Sequence, residues 1–161
     1  MIAARVPARG RPARWALFLA LLLTGVAGCG GDPFTLSAAG PWTYTTASDA
    51  PFERVAVLVT ITNRSGDDLA VNPADFLVRD GSHRVYPADP TAAAADARAV
   101  QLAYGARHGV QGIAPLPVVT LRQDDVLTGF VVFTVPTGAR LVELIWRQTD
   151  SDTVVPLAPA G

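Results

Sequence analysis

The chain has 161 residues, half of them hydrophobic, with 13 Arg, no Lys, 14 acidic residues and a single Cys. A formal charge of −1 gives no electrostatic case for nucleic-acid binding, and a lone Cys excludes an intrachain disulfide. The length suits one domain with a core of its own.

Residues 1–28 read as a secretory signal: Arg5, Arg9, Arg11 and Arg14, then an apolar run from Trp15 to Val26, then small residues. The run is too short for a spanning helix, which needs roughly 20 apolar residues. It closes on Val26-Ala27-Gly28-Cys29, which resembles the lipobox of bacterial lipoproteins. That resemblance implies cleavage before Cys29 and diacylglycerol on its thiol. The other reading, a soluble secreted protein with a chance Cys, leaves a free thiol open to oxidation. Residues 29–32 form a short lipidated tether and 33–161 the domain. Four Arg fall in the signal, leaving nine against 14 acidic residues, a mature charge of about −5. No basic patch is left to hold an anionic membrane, so the acyl chains must do so.

Residues 33–39 read as an edge strand, and Trp42-Thr43-Tyr44 as extended. From Phe52 to Thr62 the alternation is clear: Val55, Val57, Val59 and Ile61 share one face, and Arg54, Ala56, Leu58, Thr60 and Thr62 the other. Asn63 to Asp68 is a turn. Short strands follow at 69–71 and 75–79, the latter entering the Asp80-Gly81 turn before Arg84-Val85-Tyr86. The Ala-rich stretch 91–104 reads as a short helix, with Asp89 as N-cap, Pro90 at its first position and Gly105 as its stop. Leu102 and Tyr104 are expected to dock it, with Asp96 and Arg98 toward water. Residues 105–117 read as irregular. Strands resume at 118–121, 127–135, 141–147 and 153–157, with Val142, Leu144 and Trp146 on one face.

Short strands separated by turn signals predict an all-β antiparallel sandwich with a short helical insertion. The expected core is Val57, Val59, Ile61, Phe76, Val131, Phe133, Val135, Leu144 and Trp146. Two blocks carry a family resemblance: Val57 to Asn63 with Asp75 to Gly81, and Gly129 to Pro136 with Leu141, Leu144 and Trp146. Together they resemble the immunoglobulin-like domain of uncharacterised function found on many Gram-positive lipoproteins, similar in fold to a secreted mycobacterial immunoprotective antigen. The resemblance implies an immunoglobulin-like fold, an envelope location and no known catalysis. Two features depart from it: Gln123-Asp124-Asp125 where a Pro-Gly turn is usual, and a long insertion from Pro87 to Pro117.

Little chemistry is visible. His83 and His108 lack companion metal ligands, and Ser82 beside His83 is not a nucleophile motif. No catalytic residue, metal site or cofactor is expected. The expected function is a membrane-anchored interaction module at the extracytoplasmic face of the cell membrane. It would hold the membrane through its lipid and bind an envelope protein, not nucleic acid. Trp42, Tyr44, Tyr104 and His108 are the candidate partner surface, since Trp and Tyr are common interface anchors. The alternative is a calcium- or small-ligand-binding lipoprotein, with carboxylates from the Asp67-Asp68, Asp80, Asp124-Asp125 and Asp150–Asp152 turns.

Overall fold

A computed structural model of the protein describes residues 32–44, 51–108 and 112–158, of which 106–108 by backbone. The signal segment and Cys29 lie outside the described residues. The elements in chain order are β1 (Phe34–Thr43), β2 (Phe52–Asn63), β3 (Leu69–Val71), β4 (Phe76–Asp80), β5 (Val85–Pro87), α1 (Pro90–Ala95), α2 (Ala97–His108), β6 (Val119–Leu121), β7 (Val126–Pro136), β8 (Leu141–Arg147) and β9 (Asp152–Pro156). A sheet ordered β1-β2-β7 faces one ordered β5-β4-β8-β9, and β3 pairs with β6 beside them. Every strand pair is antiparallel. The predicted immunoglobulin-like sandwich is the fold.

Alternation decides what lies between the sheets. Val55, Val57 and Ile61 stand opposite Phe133, Val131 and Leu127, so β2 and β7 present one apolar face. Against it lie Phe76, Val78, Leu144 and Trp146. Trp146 stacks on Phe76 at 5.4 Å between ring centroids and meets the edge of Phe34 at 5.0 Å. All nine predicted core residues are at most 1% exposed. Each such side chain contributes roughly 1.5–3 kcal/mol by leaving water. One strand differs from expectation. A bulge pairs Arg79 with Glu143 but Asp80 with Leu141, so Leu141 enters the core and Val142 stays half-buried.

The insertion forms a third layer. Helices α1 and α2 cover the outer face of the first sheet, packing Ala92, Ala93 and Val100 on Ala56, Phe130 and Val132. Asp89 caps α1 as expected, its side chain accepting from the Ala92 N–H at 2.9 Å. The single helix divides at Asp96, whose ψ of 7° ends α1. Gly105 does not stop the second helix, which runs on to His108. A glycine stops a helix by taking left-handed backbone, and Gly105 keeps the right-handed form. Of the two expected docking residues, Tyr104 turns inward onto Trp42, but Leu102 is 65% exposed; Ala93, Ala97 and Val100 recur at helical spacing with Tyr104 and complete the docking face.

Most strand edges are closed. Along β7 the Phe130 N–H donates to Ala114 O, Leu116 N–H to Phe130 O and Asp89 N–H to Val132 O. The approach of this segment requires Gly129, where an added Cβ would stand 2.8 Å from Leu116 Cα. Ala88 bridges both sheets, donating to Phe76 O and pairing with Phe133.

Candidate functional site

Three of the four residues expected to form a partner surface come together where α2 meets β1. The cause is one extra residue in β1. Ala39 pairs with Leu58 but Trp42 with Ala56, a register shift spanning Gly40-Pro41. Before the shift Phe34, Leu36 and Ala38 face the core; after it Trp42 and Tyr44 face the helices. Gly40 makes the bulge possible: its φ is +107°, and a Cβ there would meet the Trp42 ring at 3.1 Å and Ala56 O at 3.2 Å.

On the outer face Trp42 meets Tyr104 of α2 edge to face, with centroids 4.9 Å apart at 78°. Tyr44 donates its hydroxyl to Asp96 Oδ2 at 3.0 Å, and Arg54 of β2 pairs with the same oxygen. Asp96 thus ends α1, begins α2 and ties both to the sheet. Burial raises the Tyr44 phenol above its ordinary pKa, and the hydrogen bond to Asp96 and its negative charge add to this. Tyr44 stays a neutral donor. Arg54 is held more firmly in its charged form by its hydrogen bond to Asp96. Trp42, Tyr44 and Tyr104 are each half-buried, so they present edges to solvent while fastening the helices. His108 is the last residue of α2, and its side chain lies outside the described residues.

Asp96 was expected in water. Its spacing from Ala92 and Val100, four residues either way, is the signal that places it on the sheet side. Among the described residues the buried polar ones are Asn63 and Asp80. Asn63 Nδ2 donates to Asp67 O and Leu121 O, while its Oδ1 accepts from the Ser65 N–H and hydroxyl. Asp80 accepts from the Ser82 and Arg84 N–H groups and from the Tyr86 hydroxyl. Desolvation opposes its ionisation, but those three hydrogen bonds outweigh it and hold the carboxyl below its ordinary pKa. Asp125 Oδ2 likewise accepts from the Arg122 N–H. Asp80 and Asp125 thus each spend a carboxylate oxygen on backbone amides of their own turns. Among the described residues no three His, Cys, Asp or Glu side chains gather to hold a metal.

Two shallow hollows open at the end of the sandwich where β2 begins. One of about 250 Å³ lies between Thr43, Glu53 and Arg140, and one of about 350 Å³ between Arg84, Tyr86, Thr137 and Arg140. These are at the low end for small-molecule sites. His83 is exposed in the turn after Asp80, with a φ of 66°.

Residues 43–153 match the family described as "Domain of unknown function (DUF4352)". The chain belongs to this family. No curated protein matches the sequence significantly. Among solved structures the DUF4352 chain is similar to MPT63, a secreted protein from Mycobacterium tuberculosis. The TM-score is 0.51 at 11% identity, covering 76% of this chain and 82% of that one. It is also similar to ycdA from Bacillus subtilis, a candidate lipoprotein, with a TM-score of 0.45 at 17% identity. That match covers 76% of this chain but only 34% of ycdA. The yjhA protein of Bacillus subtilis gives a TM-score of 0.43 at 16% identity, over 78% of this chain and 90% of that one. At these identities the MPT63 likeness shows the fold alone. No helix among the described residues is long and apolar enough to cross a membrane.

Proposed function

We propose that this DUF4352 protein is a lipid-anchored, extracytoplasmic, non-catalytic binding module, and that its helix–sheet junction meets an envelope protein. The observation that carries this reading is Val26-Ala27-Gly28-Cys29 lying five residues ahead of the first strand at Phe34. At about 3.3–3.6 Å per residue, that tether holds the strand within about 18 Å of the lipidated thiol. A domain fixed so close to a membrane serves a partner that is itself at the envelope. The junction suits protein contact: Trp42 and Tyr104 are half-buried aromatics in edge-to-face contact, and Leu102, on the outward side of the same helix as Tyr104, is 65% exposed.

The test has two arms. Labelled palmitate should enter the native protein and not the Cys29→Ser variant, which should leave the detergent phase or persist as an uncleaved precursor. Label on Cys29→Ser overturns the anchor. A photocrosslinker at position 102 should trap one envelope protein, and Trp42→Ala should weaken the adduct. An adduct indifferent to Trp42→Ala overturns the junction as the surface.

A further inference from the structure

We propose that the edge of β1, from Phe34 to Ala39, joins the same edge of a second copy of this chain, giving a two-fold symmetric dimer with one sheet continuous across both copies. This goes beyond the binding-module reading and rests on neither the anchor nor the helix–sheet junction.

The phase of the ladder identifies the groups that would pair. Arg64 N–H donates to Pro33 O at 2.8 Å, and Tyr44 N–H to Arg54 O at the far end. Antiparallel pairs alternate in their bonding, so Thr35, Ser37 and Ala39 exchange hydrogen bonds with Thr62, Thr60 and Leu58. Phe34, Leu36 and Ala38 then point their N–H and C=O groups away from β2. Among the described residues nothing pairs with them. The core is uncovered along the same edge. On β2 the inward Val57, Val59 and Ile61 are 0% exposed, whereas Leu36 and Ala38, inward on β1, are only half-buried.

Proteins normally blunt such an edge with charge, proline, brevity or cover. The outer edge of β7 is covered by Ala114–Leu116 and by Asp89. Strands β3, β5 and β6 have three residues each, and β5 ends in Pro87. On β9 Leu157 N–H bonds Val142 O, which turns Asp152, Val154 and Pro156 outward, a charge and a proline around one free amide. By contrast Phe34-Thr35-Leu36-Ser37-Ala38-Ala39 carries no charge and no proline. With one open edge per chain, pairing closes at two copies instead of growing into a fibre.

The strand is complementary to itself. A two-fold axis at Leu36 sets Leu36 opposite Leu36 of the second copy, and Phe34 opposite Ala38 of the second copy. That register engages every outward N–H and C=O from Phe34 to Ala38, about six hydrogen bonds. On the core side the large Phe34 meets the small Ala38, twice by symmetry. On the outer side Thr35 meets Ser37 of the second copy, and such hydroxyl pairs bond across strands. A row of hydroxyls already crosses this sheet: Thr128 Oγ1 lies 3.1 Å from Thr60 Oγ1, and Thr60 is paired with Ser37. The row stops at the edge of β1, and Thr35 of the second copy continues it. Asp32, the nearest charge along the chain, falls at opposite ends of the strand pair in the two copies, so no like charges oppose. Moving the axis to Ser37 runs the ladder into the register shift at Gly40-Pro41, and moving it to Thr35 brings Asp32 into the ladder.

The test uses the full chain in detergent micelles and in cells. With fewer than one chain per micelle, amide exchange should be fast at Phe34, Leu36 and Ala38 and slow at Thr35, Ser37 and Ala39. Several chains per micelle should slow the first three by about ten-fold or more. In cells, benzoylphenylalanine in place of Ala39 should give an adduct of twice the chain mass. Ala38→Pro removes an outward N–H that the single chain does not use, and should abolish both signals. Thr35→Lys with Ser37→Lys should do the same by setting like charges across the axis, as should Thr35→Glu with Ser37→Glu. Both positions are exposed, so these variants keep the test open should the proline variant not fold. Co-expressing the lysine and glutamate forms should restore the adduct, because opposite charges then face each other. An adduct with a different polypeptide, no adduct, or a double-mass adduct that survives the like-charged variants each overturns the proposal. So does failure of co-expression to restore it, or slow exchange at Phe34, Leu36 and Ala38 in the dilute chain.

Discussion

Gly129→Ala should be among the most damaging single substitutions in this domain, although it adds one methyl group. The new Cβ would stand 2.8 Å from Leu116 Cα and 2.9 Å from Leu116 N, both backbone atoms that no rotamer change can move. Segment 114–116 must lift off β7. Two hydrogen bonds go with it, Leu116 N–H to Phe130 O and Phe130 N–H to Ala114 O. Each is worth about 0.5–1.5 kcal/mol net. Leu116, now 4% exposed, leaves the core at a cost of about 1.5–3 kcal/mol. The combined loss is about 2.5–6 kcal/mol, a large share of the stability of a domain this size. Urea denaturation followed by Trp fluorescence reads it as a midpoint lowered by about 2 M. Gly66→Ala, with nothing within 4 Å of the added atom, is the matched control. It should stay within about 0.5 kcal/mol. A loss under about 1 kcal/mol for Gly129→Ala would refute the argument from close approach.

Deleting residues 91–103 exposes Phe130 and Val132, now at most 1% accessible, and should cost about 3–6 kcal/mol in the same denaturation experiment. An unchanged midpoint would show that the helices are ornament to the sheet. Asp96→Ala removes a hydrogen bond and a negative charge that help hold the Tyr44 phenol up, so an alkaline absorbance titration should find Tyr44 ionising at lower pH. The accompanying stability loss should be small, about 1 kcal/mol or less, because Arg54 is 41% exposed and the ion pair is screened. For Asp80 the folded-state pKa is depressed, so its contribution is complete above the ordinary carboxylate pKa of about 4 and fades as pH falls through the folded value. Asp80→Asn should therefore flatten the acid limb of the stability–pH curve, and an unaltered limb would place the acid sensitivity elsewhere.

The sandwich was legible because period-two alternation in β2 marks one core face, while β7, apolar on both faces from Phe130 to Phe133, reads as a central strand covered on both sides. All nine expected core residues follow from that rule and from the size of Phe76, Phe133 and Trp146. The errors sit where alternation is broken by a single residue. Nothing in Leu141-Val142 announces the bulge that exchanges their places, since both are apolar. The helical insertion was visible in its cap and composition, but its docking face was read from the bulk of Leu102 and Tyr104, of which only Tyr104 packs inward. Close packing against Ala56 favours small side chains, and the Ala face at helical spacing was the better guide. The junction itself was half visible. Trp42, Tyr44 and Tyr104 stood out by type, whereas Asp96, which joins Tyr44 to Arg54, looked like an ordinary surface acid.

The bridge at Ala88 has a mechanical consequence. On that flank one residue is bonded to Phe76 in one sheet and paired with Phe133 in the other, and Asp89 beside it is bonded to Val132. On the opposite flank, among the described residues, no ladder joins β1 to β9. The two layers are sewn along one seam and only pressed together along the other, where Phe34 leans on Trp146. Low-energy opening should start at the pressed flank and leave the seam shut. Indole emission from the buried Trp146 would then respond before the amides around Ala88 exchange. Strand β1 lies on the yielding side, so a pull on the chain ahead of Phe34 would be felt first by the ring that covers the core.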